Sequence, residues 1–249
     1  MAVRSLSTVL KTLAVLDAAG RSDRPLRLVD FCRVTGEARG AVYQRLVTLI
    51  EAGWIEATDE GAYRLSLRIV PYANRALDQA SLGTRLADVL QQIVVDTGET
   101  ASLAVLEDGE AVIVQRVESK GILRSDLRVG KRLELARTAL GRALAAYAQP
   151  EMLAHLAELG VDLPPEEVMR EVREQGYSVS VLSGPRTVSA VASPVFDSRS
   201  HCIGAISVSG PTAGFDKDKC ARAAVAAAER ANSRLMGMAA DDGSRHTPG

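Results

Sequence analysis

The chain has 249 residues, of which 47% are apolar and 4% aromatic, and its 30 Lys and Arg nearly balance its 31 Asp and Glu. This length exceeds what one small domain needs, so we expect two domains, and the apolar fraction excludes a wholly disordered chain. No apolar run approaches the ~20 residues that span a bilayer. Lys11 interrupts the apolar stretch near the start, which therefore predicts an amphipathic helix rather than a signal peptide.

Cysteine and histidine are scarce and scattered. Cys32, Cys202 and Cys220 are far apart and odd in number, which argues against a disulfide framework and favours reduced thiols in the cytoplasm. The sequence contains no CxxC or HExxH motif, and its histidines stand singly at positions 155, 201 and 246. We therefore expect a cytoplasmic protein with no metal site and no cofactor.

Charge is distributed unevenly. Residues 1–75 hold eleven basic and eight acidic side chains, a net charge of +3, whereas residues 76–249 hold nineteen and twenty-three, a net charge of −4. The first part of the chain is therefore the better candidate to meet an anion such as nucleic acid. The asymmetry is modest and supports nucleic-acid binding only weakly by itself.

Three helices are predicted before residue 53. In the first, apolar residues recur with the 3.6-residue period up to Gly20. The second is predicted over Leu26–Val34 and the third over Arg39–Ala52. Gly36 lies in the turn between them, where glycine adopts positive φ without steric cost.

A β-hairpin is predicted next, with strands over residues 54–57 and 62–65. Three helices followed by a hairpin are the order of a winged helix-turn-helix, whose third helix enters the DNA major groove. We therefore predict DNA binding by the third helix and the wing. Solvated surface charges at Arg39 and Arg45 and a packing role for Tyr43 are the alternatives. The candidate DNA-contacting residues are Arg39, Gly40, Ala41, Tyr43, Gln44, Arg45 and Arg64.

The remaining pattern predicts a linker and a second domain. The expected boundaries are a winged helix-turn-helix over 1–66, a linker helix over 67–80, a second domain over 81–240 and a disordered tail over 241–249. A further helix is predicted over 82–96. The second domain alternates strands and helices, which favours an antiparallel sheet with flanking helices and an overall α+β class. Its predicted strands are 100–106, 111–117, Ile122–Val129, 178–182, 187–196 and 202–209, and its predicted helices are 138–147, 152–159, 165–175 and 215–238.

Several motifs carry a family resemblance over residues 5 to about 238. In chain order they are Val42-Tyr43 and Leu46-Val47-Thr48-Leu49 with Ala52-Gly53, Tyr63-Arg64-Leu65, the run from Thr97 to Leu106, Arg116-Val117-Glu118-Ser119, the run from Thr138 to Leu144, Gly176-Tyr177-Ser178, the run from Ala192 to Asp197, and the run from Ile206 to Pro211. The chain resembles the isocitrate-lyase-regulator (IclR) family of bacterial transcriptional regulators. The resemblance implies a GAF-like C-terminal domain that binds a small organic effector. It also implies homodimers through the N-terminal domains, often paired into homotetramers, that repress or activate transcription near a promoter.

The resemblance also implies an effector pocket on one sheet face, against the start of the helix at Thr138. A helix N-terminus suits a carboxylate, and Ser207 and Ser209 share a strand face, although both could also lie on a solvated face. Ser180 and Ala190 stand where the family often has an acid and a cysteine, so we expect a carboxylate effector larger or more apolar than glyoxylate or pyruvate. The candidate effector-binding residues are Ala139, Leu140, Gly141, Ser180, Ala190, Ser207 and Ser209.

The DNA-binding end departs from the family pattern. Gly40-Ala41 replaces a common Ser-Thr pair, and Arg45 replaces an apolar residue. The wing tip, Asp59-Glu60, is acidic, so we expect it not to insert deeply into a groove.

Two other functions are alternatives to a DNA-binding regulator. An enzyme is not favoured, because the sequence lacks GxSxG, GxGxxG and P-loop motifs. His201 and Cys202 are also neighbours on a predicted strand, so they point to opposite faces. A sensor that has lost specific DNA binding and acts through a protein partner stays open because of Gly40-Ala41.

Overall fold

The computed structural model describes residues 5–80, 83–119, 128–182 and 187–242. The chain divides into two compact units, residues 1–79 and 80–249, and its class is α+β as predicted. Within the described ranges, no helix combines the length and apolar character that crossing a membrane requires.

The first unit has the predicted order of three helices, a hairpin and a further helix. The apolar side of the third helix packs on the first two, and Phe31, Val42 and Leu46 are fully buried there. The elements are α1 (Ser7–Gly20), α2 (Leu28–Thr35), α3 (Arg39–Glu51), β1 (Ile55–Ala57), β2 (Tyr63–Leu65) and α4 (Ile69–Ala80).

The start of α2 differs from the prediction. Leu26 is not helical, because its backbone N–H and C=O both hydrogen-bond Tyr63, which adds an isolated bridge to the wing. The backbone N–H of Arg27 donates to the Asp30 carboxylate (3.0 Å), and this cap starts the helix at Leu28. At the other end, Gly36 adopts a φ of +68°, as its place in the turn predicts.

The second unit is built on a six-stranded antiparallel sheet with strand order β5-β4-β3-β8-β7-β6. Helices cover both faces of this sheet. The elements are α5 (Gly83–Thr97), β3 (Thr100–Glu107), β4 (Glu110–Val117), β5 (Arg132–Glu134), α6 (Ala139–Ala146), α7 (Pro150–Glu158), α8 (Glu166–Gln175), β6 (Ser178–Leu182), β7 (Val188–Phe196), β8 (Cys202–Pro211) and α9 (Lys217–Asp242).

The two sheet faces carry side chains of different size. Leu103, Ile206 and Val208 belong to the core that α5 and α9 cover. On the opposite face, Ala104, Ala192 and Ala205 pack with α6. The α6-facing side therefore bears small side chains at its centre, and this is the side on which the resemblance places an effector.

Three further differences concern element boundaries. Strand β5 was not predicted, because three residues are too few to display an alternating pattern. The predicted strand Ile122–Val129 lies outside the described residues except for its last two, which are not in a strand. Asp241 and Asp242 belong to α9 rather than to a disordered tail, and the rest of that predicted tail lies outside the described residues.

Candidate DNA-reading face and effector site

The recognition helix α3 presents one continuous exposed side. Because α3 buries Val42, Leu46 and Leu49, the residues on the opposite side of the helix face solvent. Val47 was not among the predicted contacts, although its position four residues after Tyr43 places it on the same side. Ala41 is only half-buried and lies at the edge of this surface. We call the following set the reading face: Arg39, Gly40, Tyr43, Gln44, Val47 and Thr48.

Arg45 occupies a different position from the one expected of a DNA contact. Its side chain is 14% exposed, and its Nη1 lies 2.7 Å from Glu37 Oε2. Lys11 of α1 binds the other oxygen of the same carboxylate at 2.8 Å. Hydrogen bonding to Lys11 and the charge of Arg45 lower the pKa of Glu37. The placement therefore favours a role for Arg45 in fixing α3 against α1 rather than in touching DNA.

The acidic residues at the wing tip are exposed, and a charged residue in the strand that follows forms an ion pair across the hairpin. Asp59 and Glu60 are exposed in the turn. Arg64 lies directly across the hairpin from Glu56, and its Nε donates to that carboxylate at 2.6 Å. This ion pair competes with a phosphate for the Arg64 guanidinium.

The end of α3 is tied to the beginning of α4. Arg68 donates to the carbonyl of Ala52 (3.0 Å), and its guanidinium lies 5.6 Å from the centre of the Trp54 ring. The Tyr72 ring lies 5.0 Å from the same indole. The orientation of the linker helix is therefore fixed by residues at the C-terminal end of the recognition helix.

In the second unit, the start of α6 is already capped by protein hydroxyls. Ser180 Oγ accepts from the Ala139 N–H (2.9 Å), and Thr138 Oγ1 accepts from the Gly141 N–H (3.0 Å). Ser178 Oγ donates to the Ala139 carbonyl (2.6 Å). Ser180 thus docks the helix on β6 where the family often has an acid. Two of the amides expected to meet an effector carboxylate are engaged within the protein.

Gly141 has a structural reason to lack a side chain. A Cβ there would lie 2.5 Å from both the carbonyl oxygen of Glu134 and the Cα of Leu135. Ala139 and Leu140 are buried beside it. This first turn of α6 therefore lies against the backbone at the end of β5.

The predicted serines belong to two rows of side chains that cross the sheet on its α6-facing side. Residues directly paired between antiparallel strands lie side by side on the same face. Strand pairing aligns the first row as Ser178, Ala192, Ser207, Ser102 and Arg116, and the second row as Ser180, Ala190, Ser209 and Thr100. We call these the hydroxyl rows; all their hydroxyl-bearing side chains are buried.

Of these rows, the sequence predicted only Ser207 and Ser209 on β8, Ser180 on β6 and Ala190 on β7. It missed Thr100, Ser102, Ser178 and Arg116, because their proximity depends on pairing between strands that are distant in the chain. The local signal was the alternation of hydroxyls, which are two residues apart at Thr100 and Ser102 on β3 and at Ser178 and Ser180 on β6, as at Ser207 and Ser209 on β8.

The cysteines of the second unit lack the features of nucleophiles. Burial raises the pKa of Cys202 and of Cys220 to about 11, which leaves both thiols protonated near neutral pH. His201 lies in the β7–β8 turn with a half-exposed side chain, and its backbone N–H donates to Asp197 (2.9 Å). Across the described ranges, no group of histidine, cysteine and acidic side chains is arranged to hold a metal ion.

Models of known protein families match both units. The bacterial transcriptional regulator IclR C-terminal domain matches residues 74–235, and the IclR helix-turn-helix domain matches residues 8–59. The transcriptional regulator XynR of Escherichia coli is 27% identical, with 94% of this chain and 99% of XynR covered. The regulator KdgR of Escherichia coli is 28% identical, with 86% of each chain covered.

Solved structures share the fold. A Silicibacter regulator of the IclR type superposes with a TM-score of 0.79 at 24% identity, over 92% of this chain and 96% of that one. An IclR homolog of Microbacterium hydrocarbonoxydans, complexed with 4-hydroxybenzoate, superposes with a TM-score of 0.71 at 19% identity, over 92% and 99%. From the family models and these relatives, the chain belongs to the IclR family of bacterial transcriptional regulators and is a DNA-binding regulator of transcription.

Proposed function

We propose that this regulator is a cytoplasmic homodimer whose affinity for its operator is changed by a small organic acid. The observation that carries the effector part is the pair of buried hydroxyl rows in the second unit. Hydroxyls are costly to remove from water unless they find partners. A dense group of them on a sheet face, beside alanines, suits the oxygen atoms of a small polar ligand.

The reading face of α3 supports the DNA part of the proposal. Arg39 is exposed at the first turn of α3, where a guanidinium can reach a guanine edge or a phosphate. Tyr43 and Gln44 present polar groups further along the helix, and Val47 presents methyl groups suited to contact thymine. Gly40 leaves the backbone open to close approach, since a Cβ there would have no neighbour within 4 Å.

An apolar stripe on α1 supports dimer formation through the first unit. Leu6, Val9, Leu10 and Leu13 follow the helical period, yet each is about half exposed or more. The residues of α1 that pack inward are instead Val15, Ala18 and Ala19. A second copy of the chain is the occupant that the family resemblance suggests for this stripe. Two recognition helices would then meet half-sites about one DNA turn, ~34 Å, apart. Pairing of two such dimers through their effector domains would give the homotetramer that the family resemblance also implies.

The linker helix α4 is the proposed route between effector and DNA. An effector can shift operator affinity only if it prefers one arrangement of the protein over another. Contacts of Arg68 and Tyr72 with Trp54 join α4 to the end of the recognition helix. A change in the direction of α4 would therefore reorient the reading face.

The class of effector is proposed from the side chains of the site and from one similar solved structure that contains a ligand. Hydroxyls and a nearby arginine suit a carboxylate. Small side chains at Ser180 and Ala190 favour an acid with a larger body than glyoxylate or pyruvate. The homolog complexed with 4-hydroxybenzoate makes that aromatic acid a rational first probe.

The proposal is tested by fluorescence anisotropy on DNA from upstream of the protein's own gene and on a pool of genomic fragments, with competitor DNA at near-physiological salt. We expect tight binding to a short palindrome that persists in the presence of competitor DNA. The logarithm of the binding constant should fall steeply with the logarithm of the salt concentration. At least one of glyoxylate, pyruvate, benzoate and 4-hydroxybenzoate should change that affinity. Binding that salt erases on every fragment, with or without these acids, would instead favour the alternative of a sensor that acts through a protein partner.

A further inference from the structure

The hydroxyl row that contains Ser207 ends in a buried positive charge. Arg116 of β4 is paired directly with Ser102 of β3, which is paired with Ser207 of β8. The three side chains therefore lie side by side on the α6-facing side of the sheet. The Arg116 side chain is 5% exposed.

Arg116 carries its charge in a buried position, which has an energetic cost. Removing a guanidinium from water is costly unless oxygen atoms surround it, and burial lowers the pKa of Arg116, with the charge of Glu118 opposing that shift. The Glu118 carboxylate lies 3.7 Å from Nε and its side chain is 47% exposed.

A second, independent observation comes from Ser102. Its side chain is 1% exposed, and its Oγ has no hydrogen-bond partner within the described ranges. Ser178 in the same row and Ser180 in the neighbouring row differ, because each binds the backbone of Ala139. A buried hydroxyl without a partner costs free energy in the absence of ligand, which is typical of a group kept for binding.

We propose that Arg116 and Ser102, together with Ser207, bind the carboxylate of the effector, and this inference rests on the effector part of the proposed function. A planar guanidinium binds a carboxylate through two parallel N–H···O bonds, and a serine hydroxyl beside it can donate a third. The start of α6 is less suited to this task, since Ser180 and Thr138 already accept from the amides of Ala139 and Gly141. The body of the effector then extends along the row towards Ala192, where the side chains are small.

The test is calorimetric titration of the full chain with glyoxylate, pyruvate, benzoate and 4-hydroxybenzoate, each paired with its neutral counterpart, such as 4-hydroxybenzamide for 4-hydroxybenzoate. Wild-type protein should bind at least one acid and prefer it to its neutral partner. In Arg116→Gln, affinity for that acid should fall by about 10- to 100-fold. Affinity for the neutral partner should stay unchanged, so the preference for the acid disappears. A structural role alone would weaken both ligands equally.

Ser102→Ala tests the same site even if the Arg116→Gln variant does not fold. Because it removes an unpartnered buried hydroxyl, its melting temperature should equal or exceed that of the wild type, while affinity for the acid falls by about 5- to 10-fold. Ser178→Ala is the matched control, and it should lower the melting temperature because Ser178 binds the Ala139 carbonyl. Arg137→Gln removes an exposed arginine before α6 and should leave acid affinity unchanged.

The outcomes separate this inference from the broader proposal. Acid preference that survives in Arg116→Gln, or unchanged acid affinity in Ser102→Ala, overturns the assignment while leaving an effector elsewhere in the unit. Wild-type protein that binds none of the acids but binds its operator overturns both the assignment and the acid effector. Loss of acid preference in Arg116→Gln supports the assignment even if no operator is found.

Discussion

The two units place their candidate site residues in opposite environments. In the first unit, the reading face is exposed and follows the period of one helix. In the second, the hydroxyl rows are buried and arise from pairing among five strands. A face on one helix is encoded locally, whereas a row across a sheet is encoded by distant segments. Substitutions on the reading face should therefore change binding with little effect on packing, whereas substitutions in the hydroxyl rows can change packing as well as binding.

The largest contrast is expected from the same substitution at two glycines. A Cβ at Gly141 would lie 2.5 Å from backbone atoms of Glu134 and Leu135, whereas a Cβ at Gly40 would have no neighbour within 4 Å. Gly141→Ala should destabilise the second unit by about 3 kcal/mol, since backbone yields less readily than a side chain. Gly40→Ala should stabilise the first unit by up to about 1 kcal/mol, because alanine favours a helix.

Chemical denaturation with two probes separates these effects. Trp54 is the only tryptophan of the chain and belongs to the first unit, so its fluorescence reports that unit, while far-UV circular dichroism reports both. Gly141→Ala should shift the dichroism transition and leave the Trp54 transition in place. Equal stability of Gly141→Ala and wild type would mean that α6 does not approach the β5 backbone so closely.

An intermediate effect is expected at the reading face. Arg39 is exposed at the first turn of α3, whereas Arg64 is bound to Glu56 across the wing. Arg39→Ala should weaken operator binding by about 1–3 kcal/mol, and Arg64→Ala should weaken it less, since its ion pair competes with DNA. Anisotropy titrations measure both, and acid binding measured by calorimetry should stay at the wild-type value. A larger loss in Arg64→Ala than in Arg39→Ala would place the main contact on the wing instead.

The same contrast explains how much could be predicted from the sequence. The order of helices and strands followed from period and turn residues, and β6 was predicted with its observed bounds because Gly176 ends the preceding helix. Leu26 was misassigned because only its pairing with Tyr63, far along the chain, makes it extended. The proposed role of Ser102 and Arg116 was not predicted for the same reason, since neither residue is unusual within its own strand.

Arg45 illustrates the reverse difficulty, in which the local position of a residue and its observed contact favour different roles. It lies on α3 among the candidate contacts, but the Glu37 carboxylate in the preceding turn binds it. Glu37 also binds Lys11, so a single carboxylate joins α1 to α3. These contacts favour a role for Glu37 and Arg45 in holding α3, which carries the reading face, against α1.

The smallest expected effect concerns the pH dependence of these contacts. Hydrogen bonding to Lys11, and the charges of Arg45 and Lys11, lower the pKa of Glu37. A carboxyl group with a lowered folded-state pKa stabilises the fold above its ordinary pKa, and this contribution is lost as the pH falls through the lowered value. Glu37→Gln should therefore lower the stability of the first unit at neutral pH, and the difference from wild type should shrink below about pH 4.5.

Denaturation followed by Trp54 fluorescence between neutral and acidic pH measures this difference. Glu60, exposed in the wing turn, is the matched control; Glu60→Gln should leave the free energy of unfolding close to wild type throughout. Since the Lys11 and Arg45 contacts fix where α3 begins, Glu37→Gln should also weaken operator binding slightly at neutral pH while Arg39 is intact. A constant difference between Glu37→Gln and wild type at all pH values would show that the glutamate acts by packing and not by charge.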